Sequence, residues 1–421
     1  MNTAVFEAPR GRLFSLTGWA GLVAVLAVVT VVVPLLNLTT GEGSALHISD
    51  YTVSLAGKIL CYAICALAMD LIWGYTGILS LGHGLFFALG GSGMGIMEHS
   101  HRGKLFDRII NETVDGIRAL AGIPENYRIL FIQGGATQQF AMVPMNLLAP
   151  GRTADFLVTG AWSEKAEKEA KKFGAAHPAC SGKAENYGRI PRQDEIRYSD
   201  NPVYVHLTTN NTIFGTQWRA EPSVPDAVPL VADTSSDMFS RPIDVSRYGL
   251  IYAGAQKNLG PSGIVLVIIR DDLVGQGAVT LPTMMQYQTY AKENSLHNTP
   301  PTMAIYLVGQ VVKWIAETGG LVAMAQRNEA KAALLYDFLD QSDFFRGTAD
   351  QGSRSLMNVC FRAPTEELEK KFCAESEKRG MAGLKGHRSV GGMRASIYNA
   401  SPAKSVAALV AFMKEFEREN R

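Results

Sequence analysis

Cysteine is scarce in this chain of 421 residues, and what there is does not pair: Cys61, Cys65, Cys180, Cys360 and Cys373 form no CxxC and no even set. A disulfide framework and a cysteine-based zinc site are thereby excluded, and a reducing compartment is indicated. No His, Glu and Asp spacing resembles a metal-ligand set either. An excess of one charge is also missing, because 40 Lys and Arg face 39 Asp and Glu. That excludes a nucleic-acid binder working through a basic field. Disorder is excluded by the 47% hydrophobic content. There is no internal repeat and no low-complexity tract. At roughly 150 residues per domain, the length allows two or three domains.

What is present in excess sits at the front. No charged residue occurs from Leu13 to Gly41, and the middle reads WAGLVAVLAVVTVVVPLLNL. A membrane span needs about 20 apolar residues, so this run is long enough for one. Its length also exceeds the core of a signal peptide. Arg10 and Arg12 precede it while Glu42 and Asp50 follow, which places the N-terminus in the cytoplasm by the positive-inside rule. A second candidate runs from Ile59 to Gly74 and is interrupted by Asp70; a third, GILSLGHGLFFALGG, is short and carries His83. Two spans would return the following chain to the cytoplasm, tethered by the leader.

Past Gly91 the character changes. Phe106, Ile109, Ile110, Val114, Ile117 and Leu120 form one helical stripe with charges opposite. Short apolar runs follow: RILFIQGG, DFLVTG, VYVHL, VPLVAD, GLIYAGAQK and GIVLVIIR. They lack polar alternation and are separated by helical patterns such as SEKAEKEAKKF. The expected fold is therefore α/β, with a mostly parallel sheet covered on both faces. From about Pro300 the chain reads as helical, with MAIYLVGQVVKWIAE and LVAMAQRNEAKAALLYDFL. A smaller α+β part then has NVCFR and MRASIYN as strands. Its last helix is expected to take Ser401 as N-cap and Pro402 as first residue, burying Val406, Leu409, Val410, Met413 and Phe416.

In open α/β sheets ligands bind beyond the carboxyl ends of the strands. There QGGATQQF follows an apolar run and opens a helix, where backbone N–H groups can hold a phosphate. Asp233 ends VPLVAD. Lys257 ends GLIYAGAQK, flanked by small residues, where desolvation would make its amine a nucleophile. A lysine, an acid and a phosphate cradle together meet the needs of pyridoxal phosphate, and Trp162 could supply a face for its ring. His101-Arg102, His387-Arg388 and Arg394 are basic groups suited to a substrate carrying carboxylate and phosphate. Taken singly, the QGGATQQF turn, Lys257 and each basic group read better as ordinary structural or solvated features, and Trp162 reads equally well as a core side chain.

Residues 92–421 resemble the phosphoserine aminotransferase family of fold-type-I pyridoxal-phosphate enzymes. The matching stretches are SGMGIMEHSHRGK, GGATQQF, SRPIDVSRYGLIYAGAQKNLGPSG, HNTPPTMAIYL and GHRSVGGMRASIYNA, in family order. The resemblance implies that Lys257 is the Schiff-base lysine, with Gln256 its neighbour at the cofactor phosphate. It implies that Asp233 partners the pyridine nitrogen, that Trp162 stacks on the ring, and that Ala136, Thr137 and Thr212 contact the cofactor. Thr137 stands where some relatives carry arginine. Asn298 and Thr299 resemble a pair that reaches the cofactor phosphate of the neighbouring subunit, which implies a homodimer with shared sites. Arg394 matches the α-carboxylate clamp, and His101, Arg102, His387 and Arg388 match positions for the substrate phosphate or side-chain carboxylate. The implied reaction exchanges an amino group between glutamate and 3-phosphohydroxypyruvate, in serine biosynthesis. A phosphorylated hydroxy-oxo-butanoate on the route to pyridoxine is an implied second substrate.

The front does not belong to that resemblance. GKILCYAICALAMDLIWGYTGILSLGHGLFFALGG is similar to the start of an inner-membrane permease of the branched-chain amino acid/urea ABC transporter class. The expected division is a permease-like leader, 1–91, with two spans, a large cofactor-binding domain, 92–310, and a small C-terminal domain, 311–421. The family's NFxxGPxxLP-like opening segment does not precede Ser92, so weakened substrate binding is expected. A transporter fragment and an inactive fusion are the alternative readings.

Overall fold

The computed structural model describes residues 28–41, 44, 46–49, 52–53, 57 and 104–421. The chain divides into two units, Met1–Ile96 and Met97–Arg421. In the first, a π-helical turn, Val28–Val32, leads into helix α1, Val33–Thr39, which has Pro34 in its first turn and ends on extended backbone at Thr40. Together they rise about 18 Å, against the roughly 30 Å of a bilayer core. Among the described residues no helix is long and apolar enough to cross a membrane. The expected first span thus lacks support over its described part, where Asn37 and Thr40 turn to Ile48 and His47 instead. Its beginning, the span expected at Ile59–Gly74 and the stretch carrying His83 lie outside the described residues.

The second unit is built on a seven-stranded sheet. Its strands are β1 (Tyr127–Gln133), β2 (Thr153–Val158), β3 (Ala175–Ser181), β4 (Val205–Thr208), β5 (Leu230–Asp233), β6 (Tyr248–Gly254) and β7 (Ile264–Arg270). Their order is β1-β7-β6-β5-β4-β2-β3. All pairs are parallel except those of β7, which runs against both β1 and β6. The six apolar runs are all strands. They lack alternation because both faces are covered: β4, β5 and β6 are buried along their whole length.

On one face Ile129 and Phe131 pack with α2 (Lys104–Ala121), through Phe106, Ile110 and Ile117. On the other, Leu130 and Ile132 pack with α3 (Gln139–Leu147) and α4 (Ala161–Ala170). Helix α5 (Thr302–Glu317) joins the first face through Ile305, Val308 and Val312. Strand β3 was not anticipated. Its sequence, AAHPACS, is half-exposed and holds Pro178, which an edge strand tolerates because one side of its backbone faces no further strand of the sheet.

After α6 (Gly320–Gln341) comes a small antiparallel sheet in which β8 (Asn358–Arg362) lies between Arg346–Gly347 and β9 (Met393–Ser396). Helices α7 (Glu366–Lys378) and α8 (Ala403–Asn420) complete this part. A phenylalanine cluster holds it, with Phe345, Phe361, Phe372, Phe412 and Phe416 ring against ring. Helix α8 begins one residue later than expected: Pro402 is its N-cap, no side chain caps it, and Val410 is only half-buried while Phe412 joins the core.

Candidate active site

The parallel strands all point their carboxyl ends to one edge, and the chemistry collects there. Strand β1 ends at Gly134-Gly135, which turn into a short 3-10 segment, Ala136–Gln138, and then α3. Gly134 has φ +107°, and a Cβ on it would lie 2.6 Å from Gln138 Oε1, so the turn needs glycine. Beyond β2, Trp162 stands in the first turn of α4 and its indole N–H donates to Thr212 Oγ1 at 3.1 Å. Strand β5 ends on Asp233, which lies beside Thr208 of β4 and Tyr252 of β6. Lys257 follows β6 in a tight turn, its Nζ 5.7 Å from the centre of the Trp162 ring. A Cβ on Gly254 would lie 2.8 Å from Gln256 Oε1 and 3.3 Å from Ala136 Cβ, so the lysine turn and the glycine turn touch.

Burial and charge set the protonation of the central pair. Asp233 is 6% exposed, and burial raises its pKa; the Ser235 N–H at 2.9 Å and the Lys257 charge pull the other way. Lys257 is lowered, first by burial and then by Arg394, while Asp233 opposes the shift. The arrangement provides an amine held below its ordinary basicity and a buried acid held above its ordinary pKa against the pull of the lysine charge.

Arg394, on β9, donates from Nη1 to the carbonyl of Thr212 at 2.9 Å, and its buried Nε has no partner among the described residues. It lines a cavity of about 510 Å³ with His387, Thr348, Phe214 and Cys360. His387 bonds Ser389 Oγ through Nδ1 at 2.7 Å. Burial lowers its pKa, as do Arg394, Arg388 and Lys165 around it. An unoccupied guanidinium edge beside an imidazole in a positive field suits a dianionic substrate.

Ala136, Trp162, Thr212, Asp233, Gln256, Lys257, His387 and Arg394 therefore gather at the strand ends and the adjoining cavity. Thr137 is exposed on the 3-10 segment. Asn298 lies beside the end of β1, its Nδ2 donating to Gln133 Oε1 at 3.0 Å, and Thr299 next to it is exposed. Arg388 does not line the cavity that holds Arg394; it lines a neighbouring one of about 650 Å³, which His387 also lines, with Lys370 and Lys385. His101 and Arg102 lie outside the described residues. Sequence reading missed Lys165, whose Nζ lies 4.2 Å from the centre of the Trp162 ring. The three-residue spacing on α4 was the available signal. It also missed Asn258, buried next to Lys257, which donates to the Ser236 carbonyl and accepts from Asn399 N.

The chain is also similar to known proteins. Residues 87–409 match the aminotransferase class-V family, and residues 51–105 match the permease component of branched-chain amino acid transport systems. A phosphoserine aminotransferase of Herpetosiphon aurantiacus is 55% identical over 327 residues, covering 77% of this chain and 91% of that one. The solved phosphoserine aminotransferase of Bacillus circulans subsp. alkalophilus superposes with a TM-score of 0.76 at 54% identity, covering 77% of this chain and 90% of the other. A further solved phosphoserine aminotransferase, studied for radiation damage of its Schiff base, gives a TM-score of 0.75 at 49% identity over 77% and 90% of the two chains.

Proposed function

The chain belongs to the class-V aminotransferases, and on that premise we propose how its own residues carry the family's amino transfer. It exchanges an amino group between glutamate and 3-phosphohydroxypyruvate, giving 2-oxoglutarate and phosphoserine, with pyridoxal phosphate as cofactor. The observation that carries the assignment of roles is the charge-coupled pair Lys257 and Asp233 beside the Trp162 ring. The residues fit the cofactor: an amine that burial holds below its ordinary basicity, a buried acid whose charge acts on it, a flat ring, and a turn with no room for a side chain.

When bound, pyridoxal phosphate supplies a conjugated ring that takes up the electron pair released at the substrate Cα. Lys257 takes the Cα proton of glutamate at Nζ and later delivers a proton to the Cα of the new amino acid. Asp233, which burial shifts toward its neutral form while Ser235 and the Lys257 charge favour the carboxylate, would serve as the acid partner of the cofactor's ring nitrogen. Trp162, fixed by Thr212, covers one face of the site and excludes water. The Gly135–Thr137 turn, with Gln256 against it, holds the cofactor phosphate through N–H groups. Arg394 takes the α-carboxylate. His387, in the field of Arg394 and Lys165, takes the distal anion, whether phosphate or γ-carboxylate; Arg388, His101 and Arg102 are assigned to the same anion. Asn298 and Thr299 serve the phosphate of a second copy in a homodimer. The working division is a large part, 92–310, and a small part, 311–421, acting where glutamate and the cofactor are available in the cytoplasm.

The test is a visible spectrum of the purified full chain with added pyridoxal phosphate. A band that bleaches with glutamate is expected, and it is expected to be absent in Lys257→Ala. An equal band in that variant overturns the assignment. Cofactor attachment should quicken as pH rises, because only the neutral amine attacks the aldehyde and the amine's pKa is depressed.

The leader receives a separate proposal, supported by its permease match over residues 51–105. Together with the uncharged run from Leu13 to Gly41 it gives the chain affinity for a bilayer. Resistance of the full chain to carbonate extraction from membranes is expected, and complete release by carbonate overturns it.

A further inference from the structure

We infer that the Arg362–Glu369 ion pair positions the loop 386–392, and that it thereby sets affinity for the distal anion of both substrates; the second half rests on His387 contacting that anion. The loop is closed at its base by Gly386 N to Gly392 O at 2.8 Å, by Arg394 N to Leu384 O at 2.7 Å, and by a bridge between Lys385 and Met393. Inside it, the N–H groups of Val390 and Gly391 both donate to the His387 carbonyl, at 3.0 and 2.9 Å. These bonds shape the loop but do not fix where it stands.

Its place is set from below. Arg362, the last residue of β8, donates from Nη1 to the Val390 carbonyl at 3.0 Å. Glu369, in the first turn of α7 and 7% exposed, accepts the Gly392 N–H on Oε2 at 3.2 Å. The two side chains are joined to each other through Arg362 Nε and Glu369 Oε1. One charge-assisted pair, drawn from two elements, thus holds both a carbonyl and an N–H of the loop. The seat is close: Gly392 has φ +69°, and a Cβ there would lie 2.6 Å from Arg362 Cδ.

Among the described residues no other side chain from outside the loop hydrogen-bonds to it. Cavities of about 510 and 650 Å³ adjoin it, both lined by His387, the first also by Arg394 and the second also by Arg388, Lys370 and Lys385. A loop adjoining two cavities has little packing to resist displacement, so the ion pair beneath it carries the position of His387.

The experiment compares the full-chain holoenzyme with Glu369→Gln and Arg362→Met, and with His387→Ala as a control of the premise. Hydrogen exchange of the peptide covering 386–392 should quicken in both clamp variants, while peptides of β8 and α7 keep their protection. KM for glutamate and for 3-phosphohydroxypyruvate should rise about tenfold, the size of one lost charge-assisted contact, with kcat within about twofold. Unchanged loop exchange overturns the clamp. Faster loop exchange with unchanged KM overturns its role in affinity. If His387→Ala leaves both KM values unchanged, the premise fails instead, and the exchange result still decides the clamp.

Discussion

Lys331 is a lysine with no exposed surface, on α6, and its ammonium donates to the carbonyls of Ile397 and Tyr398 at 3.0 and 2.8 Å. Those carbonyls follow β9, the strand of Arg394, so the lysine ties the end of that strand to the helix behind it. Burial brings its pKa from 10.5 down to about 8. Between those values the unfolded chain holds a proton that the native state has released. Stability from this group therefore rises with pH through the window and is missing below it. The urea-unfolding free energy of the wild type minus that of Lys331→Met should grow across that window, by about 3 kcal/mol at most for a shift of this size. A difference that is flat with pH rules the effect out. Nothing in the sequence around Lys331, NEAKAALL, separates a buried lysine from a solvated one; its acceptors lie more than sixty residues away. Lys257 was legible because apolar strand and small neighbours surround it locally.

Helix α7 shows how one element sets up another's function. Thr365 caps it, accepting the Leu368 N–H at 3.3 Å, and Glu366, Glu367 and Glu369 place negative charge in its first turn. Glu369 is thus held where the helix would otherwise fray. Thr365→Ala should cost about 1 kcal/mol in unfolding free energy, while Thr365→Ser should cost little. Thermal and urea unfolding check this, and equal losses in the two variants would assign the effect to the methyl group rather than the cap. Elements of this kind were readable wherever a period or an unbroken apolar run was present, as in α2 and the six strands. Strand β3 was not, since a half-exposed edge with Pro178 carries neither pattern. The leader was read from hydropathy and from its likeness to a permease, and among the described residues no helix is long and apolar enough for the expected span.

Across the catalytic unit, the strand-end site and the small antiparallel sheet are joined by a buried polar network. Asn358 of β8 accepts from Asn210 Nδ2 at 2.9 Å and donates to Ser396 Oγ and Tyr398 OH at 3.1 and 3.2 Å. Asn210, two residues from Thr212, also reaches Ser236, three residues from Asp233 along the chain. Asn258, beside Lys257, meets Asn399, which meets Asn328 of α6. The residues on either side of the cleft are therefore linked through groups that water cannot reach, and each broken link leaves a buried partner unpaired. Asn358→Ala should lower stability by about 2–3 kcal/mol, more than a surface asparagine would. It should also loosen β9, since Asn358 and Ser396 are paired in register and Cys360 pairs with Arg394 on the same ladder. Glutamate affinity should then fall together with stability, and a calorimetric trace should broaden as the two parts melt less cooperatively. A variant that loses stability but binds glutamate as the wild type does, with one sharp transition, would show that the network only fills space. Sequence could not reveal this network: asparagine in NNT, KNL and MNV looks like loop or strand-end filler, and only partners some 140 residues apart turn it into a joint.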